Sequence, residues 1–185
     1  MEKIISKAAV LIEALPYIQR FRNEKIVIKF GGSIMENDKL MEMTIRDIVF
    51  MESVGMKPVV VHGGGKAITA RMNELGIETK FINGLRYTCD KTIDVVDDVL
   101  HNVINADIVE KAKRFGANAY SISGKKFLKA KKKYTKCALT GKNLDIGMVG
   151  DVTKVDTAPI IAALDAGLLP IIPPLASDSK KSIFN

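Results

Sequence analysis

The chain has no tryptophan, two cysteines and two histidines in 185 residues. Cys89 and Cys137 form neither a CxxC pair nor a metal-ligand spacing, so they read as two reduced thiols of an intracellular protein. His62 and His101 are too few for a His-rich metal site, and no metal ligand is assigned. Hydrophobic runs are short, and none approaches the roughly 20 residues that span a bilayer. The apolar stretch at residues 8–12 is closed by Glu13 with no small-residue cleavage site after it, which argues against a signal peptide. A membrane is not expected as a partner. No Ser/His/Asp or Cys/His catalytic grouping is legible either.

What is present is ordinary globular material. Hydrophobic residues make up 47% and charged residues 26%, enough for one domain with a sizeable core. The net charge is +7. Lys125, Lys126, Lys129, Lys131, Lys132, Lys133 and Lys136 fall in one stretch without an acid. With those seven set aside, the remaining 21 basic residues equal the 21 acidic ones. The basicity is therefore local and reads as a solvated hairpin or loop. Only Phe127 and Tyr134 accompany the lysines, so nucleic acid is not the expected partner.

Residues 6–22 read as an amphipathic helix capped at Ser6, with Val10, Leu11, Ala14, Leu15 and Ile18 as its stripe. Pro16 implies a kink or break near Leu15. Standing before the first strand, this helix either packs back on the domain or meets another subunit. A strand at 25–30 leads through Gly31-Gly32 to a helix at 37–54 ending at Gly55, with Leu40, Ile45, Ile48 and Met51 inward. A strand at 58–62 leads through Gly63-Gly64-Gly65 to a short helix at 66–75. Asp90 caps a long helix at 91–115, broken within 102–105. Strands follow at 119–123, 148–155 and 168–172, with a helix at 159–165 and a hairpin-like excursion through the lysines to residue 139. The alternation predicts an α/β fold, a mostly parallel open sheet sandwiched by helices.

Both glycine clusters follow predicted strands and precede predicted helices. Glycines there let backbone N–H groups approach an anion at the carboxyl end of a sheet. Neither cluster is a Walker A loop or a GxGxxG fingerprint: Ala67 follows Lys66, and the spacings differ. Lys29 is a candidate to neutralise a transferred phosphoryl group, or a solvated strand-end lysine. Arg86, within Asn83-Gly84-Leu85-Arg86-Tyr87-Thr88, is a carboxylate clamp or a surface arginine. His62 either works as an acid–base group or orients its loop by hydrogen bonding, and the second reading is favoured.

Taken together, Lys29-Phe30-Gly31-Gly32-Ser33, His62-Gly63-Gly64-Gly65 and the segment from Asn83 to Thr88 resemble the amino acid kinase family, and within it the branch that phosphorylates N-acetyl-L-glutamate. The resemblance continues through Ser123-Gly124-Lys125, through residues 145–152 and through Leu169-Pro170-Ile171-Ile172-Pro173. It implies transfer of the γ-phosphoryl group of ATP, with Mg²⁺, to the acceptor's side-chain carboxylate in arginine biosynthesis, without a tightly bound cofactor. By that resemblance Lys29 stabilises the transition state, and Gly31 and Gly32 line the phosphoryl path. Gly64 and Gly65 donate backbone hydrogen bonds, and Arg86 grips the α-carboxylate. Asn185, like the first asparagine of the family's N-[IV]-N-A-D segment, touches the acetylated substrate. A side-chain carboxylate with a pKa of about 4.3 is already ionised, so no general base is required.

Lys66 stands where the family usually has proline. The aspartate of the N-A-D segment and a second catalytic lysine are not among the 185 residues. The resemblance therefore implies a truncated chain: an extension helix at 1–22, an acetylglutamate-binding lobe at 23–185, a missing ATP-binding part and little turnover. The first helix is similar to the extension of arginine-inhibited members, which implies a homo-oligomer, dimer or hexamer, with arginine as effector and a PII signalling protein as a further partner. The implied location is cytoplasmic, or plastid in a photosynthetic eukaryote. Rival readings are glutamate 5-kinase, carbamate kinase or aspartate kinase, and a non-catalytic anion-binding regulatory fragment.

Overall fold

The computed structural model describes residues 2–137 and 140–185, and only the backbone of residues 2–7. In chain order the elements are α1 (Glu2–Phe21), β1 (Lys25–Phe30), a 3₁₀ turn (Gly32–Glu36), α2 (Asp38–Ser53), β2 (Lys57–His62), α3 (Gly65–Glu74), β3 (Phe81–Ile82), β4 (Leu85–Arg86) and α4 (Asp90–Asp98). A π-helical segment (Val99–Asn105) runs into α5 (Ala106–Arg114). Then come β5 (Ala119–Ser121), a 3₁₀ turn (Gly124–Lys126), β6 (Leu128–Lys136), β7 (Asn143–Val155), α6 (Ala158–Asp165), β8 (Leu169–Ile172), β9 (Ala176–Ser177) and β10 (Ile183–Phe184).

A parallel sheet of order β1-β2-β8-β5 forms the centre. The inner strands β2 and β8 are buried along most of their length, which explains their continuous apolar runs, while the edge strands β1 and β5 keep exposed positions. Alternation along β2 sends successive residues to opposite layers. Val60 joins Phe30, Leu169 and Ile171 beneath Ile45 and Ile48 of α2 and Ile108 of α5. Val59 joins Ile122, Phe127 and Ile172 against Ala163 and Leu164 of α6. The expected helix-sandwiched parallel sheet is present.

A second sheet, of order β10-β9-β6-β7, holds the lysine-rich stretch as a true hairpin. Lys132 and Lys133 reach Asp145 and Asp151 on the facing strand, at 2.7 and 2.6 Å. Residue 139, the expected end of that excursion, lies outside the described residues. The strand expected at 148–155 begins earlier, at Asn143. A small hairpin, β3–β4, turns on Asn83 and Gly84 with φ of 51° and 77°. Two positive φ values in a row are what a two-residue turn matching the strand twist demands, and Asn-Gly meets that demand. The Asn83 amide then donates to Thr135 Oγ1 at 2.9 Å and to the Lys136 carbonyl at 2.8 Å, tying this hairpin to β6.

Several expectations need correction. α1 begins at Glu2, so Ser6 lies inside it and is no cap, and the helix continues through Pro16. On α2 the buried positions are Met41, Ile45, Ile48 and Val49, while Leu40 is 45% exposed and Met51 half-buried. Asn37 caps that helix by accepting from the Leu40 amide, and Met41 lies at helical spacing from the buried Ile45 and Ile48. Cys89, not Asp90, is the residue before α4. The break expected within 102–105 is a π-helical segment that keeps the helix continuous into α5. Strand β5 stops at Ser121 rather than residue 123.

The two classes of apolar position should separate in stability. Ile171→Ala, at a fully buried site in the central strand, should cost roughly 2–5 kcal/mol by denaturant unfolding, and Leu40→Ala less than about 0.5 kcal/mol.

Candidate functional site

Parallel strands deliver their carboxyl ends to one edge, and the two glycine turns emerge there side by side. The Gly63 amide donates to the Phe30 carbonyl at 2.8 Å, and a methyl group built on Gly31 would lie 3.4 Å from the Gly63 Cα. Gly64 is confined from the other side. A Cβ there would stand 2.6 Å from both Ile104 Cδ1 and Leu100 Cδ2 of the π-helical segment. Only glycine lets that segment press against the turn.

A cavity of about 790 Å³ opens between these elements. Lys29, Gly31, Gly32, Gly64, Gly65, Arg86 and Asn185 all line it. The seven residues predicted to form the site therefore share one cavity, although Lys29 and Asn185 lie 156 positions apart in the chain. Sequence reasoning did not single out Glu36, Thr69, Phe81, Ile104 or Asp107, which also line it.

Arg86 is 8% exposed. Its Nη2 donates to the Gly65 carbonyl at 2.8 Å and to Thr69 Oγ1 at 2.6 Å, and its guanidinium stacks 4.9 Å from the centre of the Phe81 ring. Burial pushes its pKa below the ordinary arginine value. Among the described residues no carboxylate pairs with it. Lys29 is exposed at the cavity wall and likewise has no ion-pair partner among the described residues. Asn185 sits between β7 and Thr88: its backbone N–H donates to the Met148 carbonyl at 3.2 Å, and its side-chain Oδ1 accepts from Thr88 Oγ1 at 3.5 Å. The arrangement suits an anion. Arginine offers donors to a carboxylate, lysine offers a mobile charge, and the start of α3 offers backbone N–H groups.

Residues 24–185 match the amino acid kinase family. The chain belongs to that family. The acetylglutamate kinase of Carboxydothermus hydrogenoformans is 43% identical over all of this chain and 64% of its own length. That of Methanocaldococcus jannaschii is 40% identical over all of this chain and 63% of its own. The chain thus spans under two thirds of these relatives. Among solved structures, N-acetylglutamate synthase from Neisseria gonorrhoeae, complexed with coenzyme A and N-acetyl-glutamate, superposes with a TM-score of 0.79 at 24% identity. That match covers 96% of this chain and 40% of the synthase chain, and shows a shared fold.

In this amino acid kinase chain His62 is fully buried behind the cavity wall. Its Nδ1 lies 3.0 Å from the Gly63 carbonyl and its Nε2 3.1 Å from Asn105 Nδ2, which also donates to the Ile171 carbonyl at 3.1 Å. A neutral ring protonated on Nδ1 satisfies both contacts, so His62 orients the glycine turn, as its favoured reading held. One grouping was missed entirely. His101, on the π-helical segment, lies 2.7 Å from Asp97 Oδ1 and 2.9 Å from Ser123 Oγ, while Lys125 holds Asp97 Oδ2 at 2.6 Å. The sequence concealed this Ser/His/Asp group because a helix-to-strand crossing brings Ser123 back to His101. Asp97 Oδ1 and His101 Nδ1 make no aligned hydrogen bond, and neither residue lines the cavity, so the group ties the helix to the β5–β6 turn.

Burial is the main cause that lowers the His62 pKa from 6.5, and the charge of His101 adds to it, against the Gly63 carbonyl. The unfolded chain therefore binds a proton that the folded ring resists. The stability from a neutral His62 is complete above pH 6.5 and is lost as pH falls below it toward the folded pKa. Unfolding midpoints measured from pH 7.5 to 5 should fall, and His62→Gln should flatten that fall while lowering stability at pH 7.5.

Proposed function

We propose that this chain is the acceptor-binding lobe of an acetylglutamate kinase, which moves the γ-phosphoryl group of ATP onto the side-chain carboxylate of N-acetyl-L-glutamate. The observation that carries this reading is the buried Arg86 guanidinium, open to a cavity and paired with no carboxylate among the described residues. Burying a cation without a counter-charge is costly even when neutral groups accept its hydrogen bonds, and a ligand carboxylate offsets that cost. The names of the relatives support the choice of acceptor.

In this reading Arg86 holds the α-carboxylate and Asn185 faces the acetylated end. Gly64 and Gly65 present amides to the reacting carboxylate and to the transferring group, and Gly31 and Gly32 line the phosphoryl path. Lys29 neutralises charge on the phosphoryl oxygens as transfer proceeds. The acceptor is already an anion, so the task is alignment and the suppression of charge repulsion between two anions. ATP arrives with Mg²⁺ as a substrate complex, and residues 23–185 supply the acceptor half of the reaction.

Titration calorimetry of the 185-residue protein with N-acetyl-L-glutamate tests the reading. Arg86→Ala should weaken binding by about 10- to 100-fold, the value of a charge-assisted hydrogen-bond pair. Unchanged affinity in a variant whose thermal midpoint shows it folded would contradict it. Binding of long polyanions alone, with a steep salt dependence, would favour the regulatory-fragment reading.

The first helix bears on assembly. Val10, Leu11, Ile12 and Tyr17 are each more than 60% exposed on α1. A second copy of the chain is the proposed cover for that surface. Sedimentation should show a self-associated species that deletion of residues 1–22 removes, and a monomer in both cases would refute it. An arginine effector and a PII signalling protein are further proposals that rest on the family resemblance alone.

A further inference from the structure

Lys66 is the second residue of α3, in the first turn of a helix with no acid there. A cation at a helix N-terminus is poorly placed, because the orphan N–H groups already make that end positive. Its ammonium leans on one partner, Glu36 Oε2, at 2.5 Å. Glu36 closes the 3₁₀ turn that begins at Gly32, and both residues line the cavity. The Lys66 side chain is 75% exposed, so the pair is a wet and weak one. Lys66 thus reaches the 3₁₀ turn that follows β1, while Arg86 is fastened to Gly65 and Thr69 of the same helix.

We infer that Lys66 is a specificity-determining cation for the acceptor's side-chain carboxylate, and that Glu36 is its resting counter-ion, exchanged for the ligand when the cavity fills. The inference rests on the proposed acceptor and adds a residue to it. An anion entering beside the α3 amides meets Lys66 at close range and displaces an exposed carboxylate that carries less of the local field. Glu36, left without its partner, then repels the ligand. Lys66 attracts the ligand and Glu36 resists it, so their removal should act in opposite directions.

Calorimetry with two probes, N-acetyl-L-glutamate and N-acetyl-L-glutamine, separates the possibilities. Lys66→Gln should weaken N-acetyl-L-glutamate binding about tenfold, leave N-acetyl-L-glutamine nearly unchanged, and so collapse discrimination between the two. Lys66→Arg should restore most of the discrimination. Glu36→Gln should tighten N-acetyl-L-glutamate binding about two- to threefold, as one nearby like charge is removed. If Lys66→Gln and Glu36→Gln both weaken binding, the pair is a structural tie and the inference fails. If Lys66→Gln weakens both probes equally, the side-chain carboxylate is not its target, and the inference fails. Wild-type protein that ignores N-acetyl-L-glutamate, or binds it independently of Arg86, would overturn the proposed acceptor first and this inference with it. Binding that needs Arg86 but not Lys66 would overturn this inference alone.

Discussion

The contact between two glycine turns at one edge of the parallel sheet governs this molecule. The Gly63 amide reaches the Phe30 carbonyl at 2.8 Å, so the ends of β1 and β2 cannot separate. Two walls of the cavity are hung from that junction. The 3₁₀ turn carrying Glu36 leaves from one glycine pair, and α3, carrying Lys66 and Thr69, leaves from the other. The π-helical segment closes the wall through Leu100 and Ile104, which lie where a Gly64 side chain would stand. Behind the junction, His62 and Asn105 hold the turn from the interior by a neutral hydrogen-bond chain.

Charge follows from that geometry. Three cations, Lys29, Lys66 and Arg86, face one cavity from three directions, and each has a different degree of freedom. Arg86 is buried and fastened by hydrogen bonds to Gly65, Thr69 and Met72, so it is pre-organised at the cost of desolvation. Lys66 is exposed and held by one weak pair, and Lys29 is unpaired among the described residues. A fixed clamp with two mobile charges suits a ligand that is first oriented and then made to accept further negative charge. The basic hairpin, by contrast, places Lys132 and Lys133 against Asp145 and Asp151, so part of its positive charge is neutralised locally.

Much of this was legible in the sequence. β1, β2 and α6 were readable because each combines an unambiguous apolar run with a glycine or proline boundary. The seven cavity residues were readable because their motifs occur in a specific order, although no single glycine pair would have sufficed. On α2 the inward face was missed at Leu40 and Met51, since adjacent Leu40 and Met41 are both apolar and packing against the sheet selects Met41 and Val49. The two-residue strands β3, β4, β9 and β10 owe their existence to tertiary pairing and leave no periodicity to read. The π-helical segment is a change of hydrogen-bond spacing with no composition signature. The Asp97–His101–Ser123 group and the Glu36–Lys66 pair join residues on separate elements, which spacing alone does not bring together.

The central claim is that the two glycine turns and the start of α3 form the acceptor's cradle. An NMR titration of the ¹⁵N-labelled chain with N-acetyl-L-glutamate tests it most directly. The account predicts saturable shifts at the amides of Gly32, Gly64, Gly65 and Lys66 and at the Arg86 side chain, with the lysine-bearing strand of the β6–β7 hairpin unmoved. Shifts confined to that hairpin, or none at the glycine turns at saturating ligand, would contradict it.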